Sequence, residues 1–327
     1  MFKQYKLKNY KFILVLFVVI LNVIGILLIG SAKPSVQSKQ IVGMIAGLSI
    51  MVILSLIDYN FILKFAWLIY LFMLGTLLLV MFAGDDAGGA QRWFEIGGFR
   101  FQPSELAKIL IILFFAYFFM KHEEKINTPK VLIMSLILAG IPLALILKQP
   151  DLSTTIVTAL IFAALLFVAG LSYKIVVGVL AVSVPSAIIL FTLLIQDKLP
   201  FIKSYQVTRV MAWLYPDDYP ADAYQQQNSI MAIGSGQLWG KGLNNTDATS
   251  VKNGNFIPEP QTDFIFAVAG EELGFIGTVI IIILLLFITI ECILIARKAK
   301  DTAGKMICCG FAALVGFQSL VNIGVAS

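Results

Sequence analysis

Apolar runs of roughly 20 residues, the length an α-helix needs to cross a bilayer, recur along this chain from one end to the other. Only helices or closed barrels satisfy their backbone groups in hydrocarbon. Spans are predicted near Phe12–Ile29, Ile41–Ile57, Phe61–Phe82, Leu106–Met120, Val131–Leu147, Leu152–Gly170, Ile175–Ile195 and Phe264–Ile295, with a ninth from Ile307 to the end. The eighth is long enough to tilt, or to break at Gly274 or Gly277. Only 13% of the 327 residues are charged and 59% are hydrophobic, whereas soluble domains carry roughly 25% charged residues. The expectation is an all-α polytopic membrane protein forming one integral membrane domain, residues 1–327. Its Lys-rich start, apolar run and Gly30–Ala32 imitate a signal peptide. Signal-peptide apolar regions span only about 7–15 residues, so Phe12–Ile29 reads as an uncleaved first helix.

Lys and Arg in short loops set the orientation. With the N-terminus in the cytoplasm, the inner loops hold thirteen of them, among them Lys3, Lys11, Lys64, Lys121, Lys130, Lys174, Arg297 and Lys305. The short outer loops hold Lys33, Lys39, Arg92, Arg100 and Lys148. The net charge of +5 therefore reports topology and no nucleic-acid partner. Cys292, Cys308 and Cys309 lie in apolar sequence without metal-site spacing, and the one histidine, His122, sits in a charged loop. No metal site is expected from the sequence.

This orientation places Ser31–Gln40, Ala83–Glu105, Lys148–Asp151 and Gln196–Asp263 outside. The last is a long extracellular loop, residues 196–263, between the seventh and eighth spans. Asp263 ends it; Glu271 and Glu272 follow inside membrane-grade sequence. Carboxylates at that depth are costly and often functional; the plainer reading makes Asp263 a helix cap and the two Glu members of pairs. In "AQRWFEI", flanked by Gly-Gly pairs, a short strand or hairpin is predicted. Arg92 and Trp93 suit a phosphate and a sugar face, or an ordinary interfacial belt. Ser104 is a candidate cap, and Glu105 and Lys108 fall at i, i+3, able to pair. Pro150 separates two helices; Asp151 or Ser153 can cap the second, with Lys148 and Gln149 beside them. Tyr205–Tyr215 is amphipathic, as an interfacial helix should be. The segment Tyr224–Gly236 has the mix of a stretch re-entering the bilayer. "GSGQLWGKGL" at Gly234–Leu243 fails the P-loop pattern. It is either a Gly-rich turn or a loop whose amides and Lys241 hold a lipid-linked pyrophosphate.

Five stretches in order carry a resemblance: "QRWF" at Gln91–Phe94, "QPSELAK" at Gln102–Lys108, "KQPDLST" at Lys148–Thr154, "AIGSG" followed by "GKGL" at Ala232–Leu243, and "TDFIFAVAGEELGFIG" at Thr262–Gly277. With their spacing and hydropathy, the chain resembles the RodA/FtsW family, the shape, elongation, division and sporulation (SEDS) glycosyltransferases of bacterial cell-wall synthesis. "QPDLS", Tyr205-Gln206 and "YPDD" look more like the RodA branch. The resemblance implies a ten-helix SEDS fold with both termini in the cytoplasm, nine helices being present here and the last one expected beyond Ser327. It implies polymerisation of lipid II into β-1,4 glycan strands on the outer face of the cytoplasmic membrane, for cell elongation and shape. It carries the family's catalytic aspartate onto Asp263 and its "RWF" aromatic onto Trp93. Glu105, Lys108, Asp151, Lys241 and Glu271 match polar family positions, where substrate binding and structural pairing both remain open. Implied partners are lipid II, a class B penicillin-binding transpeptidase and membrane proteins of the elongation complex.

The chemistry expected is an inverting displacement with Asp263, partly buried at the membrane face, as base. Arg92, Lys108, Lys148 and Lys241 are the cations available to the leaving pyrophosphate, with a divalent cation as a possible aid and no other cofactor. A different reading is a lipid-linked precursor flippase with Asp151, Glu271 and Glu272 on its path. A third is a scaffold that only docks a partner enzyme.

Overall fold

The computed structural model describes residues 10–87, 90–97, 99–196, 204–245, 250 and 259–327. In chain order the helices are α1 (Phe12–Ala32), α2 (Pro34–Ser55), α3 (Tyr59–Leu63), α4 (Ala66–Ala83), α5 (Pro103–Lys121), α6 (Pro129–Lys148), α7 (Leu152–Val168), α8 (Tyr173–Ile195), α9 (Ser204–Leu214), α10 (Pro220–Ser235), α11 (Ile265–Arg297) and α12 (Thr302–Ala326). Among the described residues eight of them are long and apolar enough to cross a membrane. The apolar helix α7, at 17 residues, is shorter than those eight. The protein is a multi-pass membrane protein.

Several boundaries differ from expectation for local reasons. The third predicted span is two helices: Asp58 caps α3 by accepting from the Asn60 amide at 2.9 Å, and α4 restarts at Ala66. Helix α5 opens with Pro103 in its first turn, where a missing N–H costs nothing. Its N-cap is Gln102, not Ser104, which lies buried inside the helix. Between α4 and α5, within the otherwise helical fold, lies a small antiparallel sheet, β1 (Asp85–Ala87), β2 (Ala90–Ile96) and β3 (Phe99–Phe101). Trp93 lies opposite Asp85, and Glu95 opposite Arg100. The predicted "AQRWFEI" strand is therefore its central strand.

The chain divides into two compact units. The first comprises Met1–Ile26, Ser35–Leu171 and Ile281–Val321. Its core centres on α5, whose Ile111, Phe114, Phe115, Phe118 and Phe119 pack against Tyr70 and Leu77 of α4, Phe162 and Leu165 of α7 and Met306 of α12. A helix apolar around its whole girth is covered by protein or by lipid, and α5 is covered mostly by its neighbours. The second unit comprises Leu27–Pro34, Ser172–Ile280 and Asn322–Ser327. It holds a smaller core of Ala232, Phe264, Ala267 and Ala326. In this unit the predicted interfacial helix is α9, the predicted re-entrant stretch is helical as α10, and α8 presents Val177, Leu180, Val184 and Ile188 to its surroundings, as a lipid-facing helix does.

In the first unit, α3 is tied to the start of α12: the Tyr59 hydroxyl donates to Asp301 Oδ2 at 2.9 Å, and Asp301 Oδ1 accepts from the Gly304 amide at 2.7 Å. Burial first, then the bond to Asp301, pushes the Tyr59 phenol from its ordinary 10.0 up to about 12. Between those values the unfolded chain gives up this proton while the folded one keeps it. The contribution to stability is therefore full below pH 10 and lost as the pH rises through about 12. Tyr59→Phe is expected to remove that dependence and to lower stability by about 1 kcal/mol at neutral pH. Thermal unfolding against pH in detergent checks both.

Candidate active site

The second unit carries the most irregular backbone. Helix α11 breaks at Gly274, whose φ of 66° and ψ of −167° are open only to glycine. The break lies at one of the two glycines foreseen. It exposes backbone groups inside apolar sequence, and the Gly-rich segment after α10 pairs with them. The amides of Lys241 and Gly242 donate to the carbonyls of Glu271 and Glu272 at 2.9 and 3.0 Å. In return the amides of Phe275 and Ile276 donate to the carbonyls of Gln237 and Leu238 at 2.8 and 3.2 Å. "GSGQLWGKGL" is thus neither a P-loop nor an open turn but a strap seated on a broken helix. Its amides are engaged: Gly240 N–H also bonds the Gly236 carbonyl at 2.8 Å. The amides of Gly240, Lys241 and Gly242 are thus taken by the protein itself, while the Lys241 ammonium stays partly open.

The same strap fixes the two intramembrane carboxylates. Glu271 and Glu272 are each 1% exposed. Lys241 Nζ sits 2.8 Å from Glu271 Oε1 and keeps part of its surface open. Ser31 donates to Glu272 Oε1 at 2.5 Å, and its oxygen accepts from the Asn244 amide at 3.0 Å. Ser31 was not foreseen as a site residue; a lone serine beside a helix end gives no sequence signal. Eight residues before Glu271, Asp263 differs from expectation. It is exposed rather than partly buried. Its carboxylate makes no hydrogen bond or ion pair with the described residues, so it does not cap α11. Its neighbour Glu259 is tied to Lys33 at 3.8 Å and to Gln261.

The first unit gathers a second polar cluster at the start of α5. Lys108, 1% exposed, is among the largest fully buried side chains. Its ammonium contacts Glu105 Oε1 at 2.8 Å and Gln318 Oε1 of α12 at 2.6 Å. The predicted i, i+3 pair is present; Gln318 was missed, although a glutamine in an otherwise apolar stretch was a readable signal. Gln318→Leu is expected to cost roughly 1.5–3 kcal/mol, because a buried ammonium loses one of its acceptors; the shift of the thermal transition reads it. Gln102 Nε2 donates to Asp151 Oδ2 at 2.7 Å and to Ser104 Oγ at 2.9 Å. Asp151 Oδ1 accepts from the Thr154 amide at 3.1 Å, so this aspartate does cap α7. Lys148 and Gln149 do not share an environment: Lys148 is exposed, while Gln149, 2% exposed, donates to the Leu77 carbonyl at 3.0 Å. Among the described residues Gln149 Oε1 is buried without a hydrogen-bond partner, as is Arg92 Nε on β2. Trp93 is half-buried. Among the described residues no three His, Cys, Asp or Glu side chains converge as a metal site.

The profile of the cell cycle protein family FTSW_RODA_SPOVE matches residues 6–327. A probable peptidoglycan glycosyltransferase FtsW of Geobacter sp. (strain M18) is 32% identical over 345 residues, covering 98% of this chain and 88% of the relative. The probable FtsW of Haemophilus ducreyi is 34% identical over 292 residues, covering 85% and 70%. Among solved structures, a chain from work on the structural coordination of polymerization and crosslinking by a peptidoglycan synthase complex superposes with a TM-score of 0.78 at 29% identity, covering 97% of this chain and 87% of that one. The rod shape determining protein RodA of Thermus thermophilus superposes with a TM-score of 0.67 at 25% identity, covering 97% and 85%.

Proposed function

The chain belongs to the FtsW/RodA/SpoVE family of cell cycle proteins, and from that premise we propose that it is an inverting peptidoglycan glycosyltransferase of the cytoplasmic membrane. It polymerises lipid II into β-1,4 glycan strands on the outer face. The N-terminus is cytoplasmic and residues 196–263 form an extracellular loop; the Lys and Arg asymmetry of the short loops supports this orientation.

The observation that carries the reading is Asp263. It is an exposed carboxylate with no partner among the described residues, at the end of the long polar segment and just before α11. A group positioned to take a proton from a substrate must have its lone pairs free, and this one does. The acceptor's 4-hydroxyl attacks the anomeric carbon of the donor while Asp263 accepts its proton. The α-linked pyrophosphate departs with the bonding pair, and a β bond forms in a single displacement. A pyrophosphate is already a good leaving group, so one base suffices. Developing charge on it calls for cations. Lys241, partly open beside Glu271, is the candidate in the same unit as Asp263. For Lys148, Arg92 and Trp93, in the first unit, the substrate-binding role rests on residue type and on the family resemblance alone.

The remaining residues take positioning roles. Lys108 is enclosed by Glu105 and Gln318, and Asp151 is occupied by Gln102 and the Thr154 amide. Buried Gln149 belongs with them, and Glu271 holds Lys241 in place. Gln149–Ser153 and Tyr215–Asp218 support the RodA branch, and with it a role in cell elongation and shape. The partner is a class B penicillin-binding transpeptidase together with membrane proteins of the elongation complex. The likeness to a chain of a peptidoglycan synthase complex supports that pairing.

The test is incubation of the full-length protein and its transpeptidase with labelled lipid II. A muramidase-sensitive polymer is the expected product. No polymer, with movement of the lipid across proteoliposomes instead, contradicts the reading and returns the flippase.

A further inference from the structure

The turn between α11 and α12 borders a largely open cleft of about 440 Å³, lined by Arg297, Lys300, Asp301, Thr302 and Lys305 among others. That volume falls in the roughly 300–1,000 Å³ range of small-ligand sites. Two helices long and apolar enough to cross a membrane meet there, which is where a bilayer's headgroups would lie. Its charge is lopsided: three cations face one acid. That acid is already committed, since Asp301 accepts from Tyr59 through one oxygen and from the Gly304 amide through the other. Thr302 is committed as well, donating to Glu123 at 2.7 Å. Arg297, Lys300 and Lys305 are exposed and form no ion pair among the described residues. Orientation by loop charge requires cations near the membrane, but it does not require three of them to line one cleft whose lining aspartate is already engaged.

We propose that this cleft binds a phosphate-bearing anion, the phosphate of an anionic lipid headgroup or free phosphate. Arg297 offers two parallel donors to phosphate oxygens, and Lys300 and Lys305 add compact positive charge. Basic pockets between membrane helices take acidic headgroups in this way. Three cations against the one lining acid leave the cleft with a net positive charge.

Native mass spectrometry of the full chain tests this, with phosphatidylglycerol as probe, phosphatidylcholine as the zwitterionic comparison and inorganic phosphate as competitor. The R297Q/K300Q/K305Q variant is expected to weaken phosphatidylglycerol binding about tenfold or more, on the scale set by losing several basic contacts. K11Q/K130Q/K174Q, with the same charge change elsewhere, is expected to bind as wild type. Displacement of the lipid by millimolar inorganic phosphate identifies a general phosphate site; persistence of the lipid identifies a headgroup site. Equal binding of both probes by wild type and the R297Q/K300Q/K305Q variant overturns the proposal, as does an equal loss in both triple variants.

Discussion

Gly274→Ala is expected to destabilise the protein by roughly 2–6 kcal/mol, the sum of a forbidden backbone conformation and an overpacked contact. A Cβ at Gly274 would lie 2.3 Å from the Gly240 nitrogen, 2.7 Å from the Trp239 carbonyl carbon and 2.8 Å from the Leu238 oxygen. All three are backbone atoms of the strap, so no side chain can swing aside. Gly236→Ala separates the two causes. Its φ of −72° suits any residue, but its Cβ would meet the Gly270 oxygen at 1.9 Å. Its cost is steric alone, about 1–3 kcal/mol. Gly234→Ala, two residues earlier in α10, meets nothing within 4 Å. It is expected to be stabilising by roughly 0.5–1 kcal/mol through helix propensity. Thermal unfolding of the three variants in one detergent reads the order Gly234→Ala above wild type above Gly236→Ala above Gly274→Ala. A Gly236→Ala variant as stable as wild type would mean that the strap is not seated on α11.

Much of this fold was legible because hydropathy and periodicity survive without tertiary context. The long apolar runs, the strand at Ala90–Ile96, the amphipathic α9 and the break in the eighth span all follow from local rules. What the sequence hid depends on partners far apart in the chain. The strap's pairing with α11 links residues 30 to 38 positions apart through backbone groups, which leave no residue-type signature. For the same reason the amides beside Lys241 looked available to a pyrophosphate when they are bound. Lys108 and Glu105 were readable as a pair because i, i+3 spacing is local; Gln318 joins them from 210 residues away. Asp151 had two sequence readings, and its cap on α7 is present while the same side chain also holds Gln102. For Asp263 a cap was equally plausible, yet the carboxylate stands free of the described residues. The five family motifs then add what geometry alone does not: the proposed reaction, in which a free carboxylate at this point would serve as the base.

Asp263→Asn is expected to leave expression, detergent behaviour and thermal stability near wild type, since the side chain is exposed and unpaired among the described residues. It is expected to lower glycan-strand formation about 10²–10⁴-fold, the usual share of a positioned general base. The neighbouring exposed carboxylate provides the comparison: Glu259→Gln removes a surface pair with Lys33 worth little and is expected to retain activity. The most direct measurement is therefore the initial rate of strand formation from labelled lipid II by the full-length protein with its transpeptidase, for wild type, Asp263→Asn and Glu259→Gln side by side. Polymer from wild type and Glu259→Gln, with only trace amounts from folded Asp263→Asn, is the predicted result. Polymer from Asp263→Asn at the wild-type rate would contradict the assignment of Asp263 as the base.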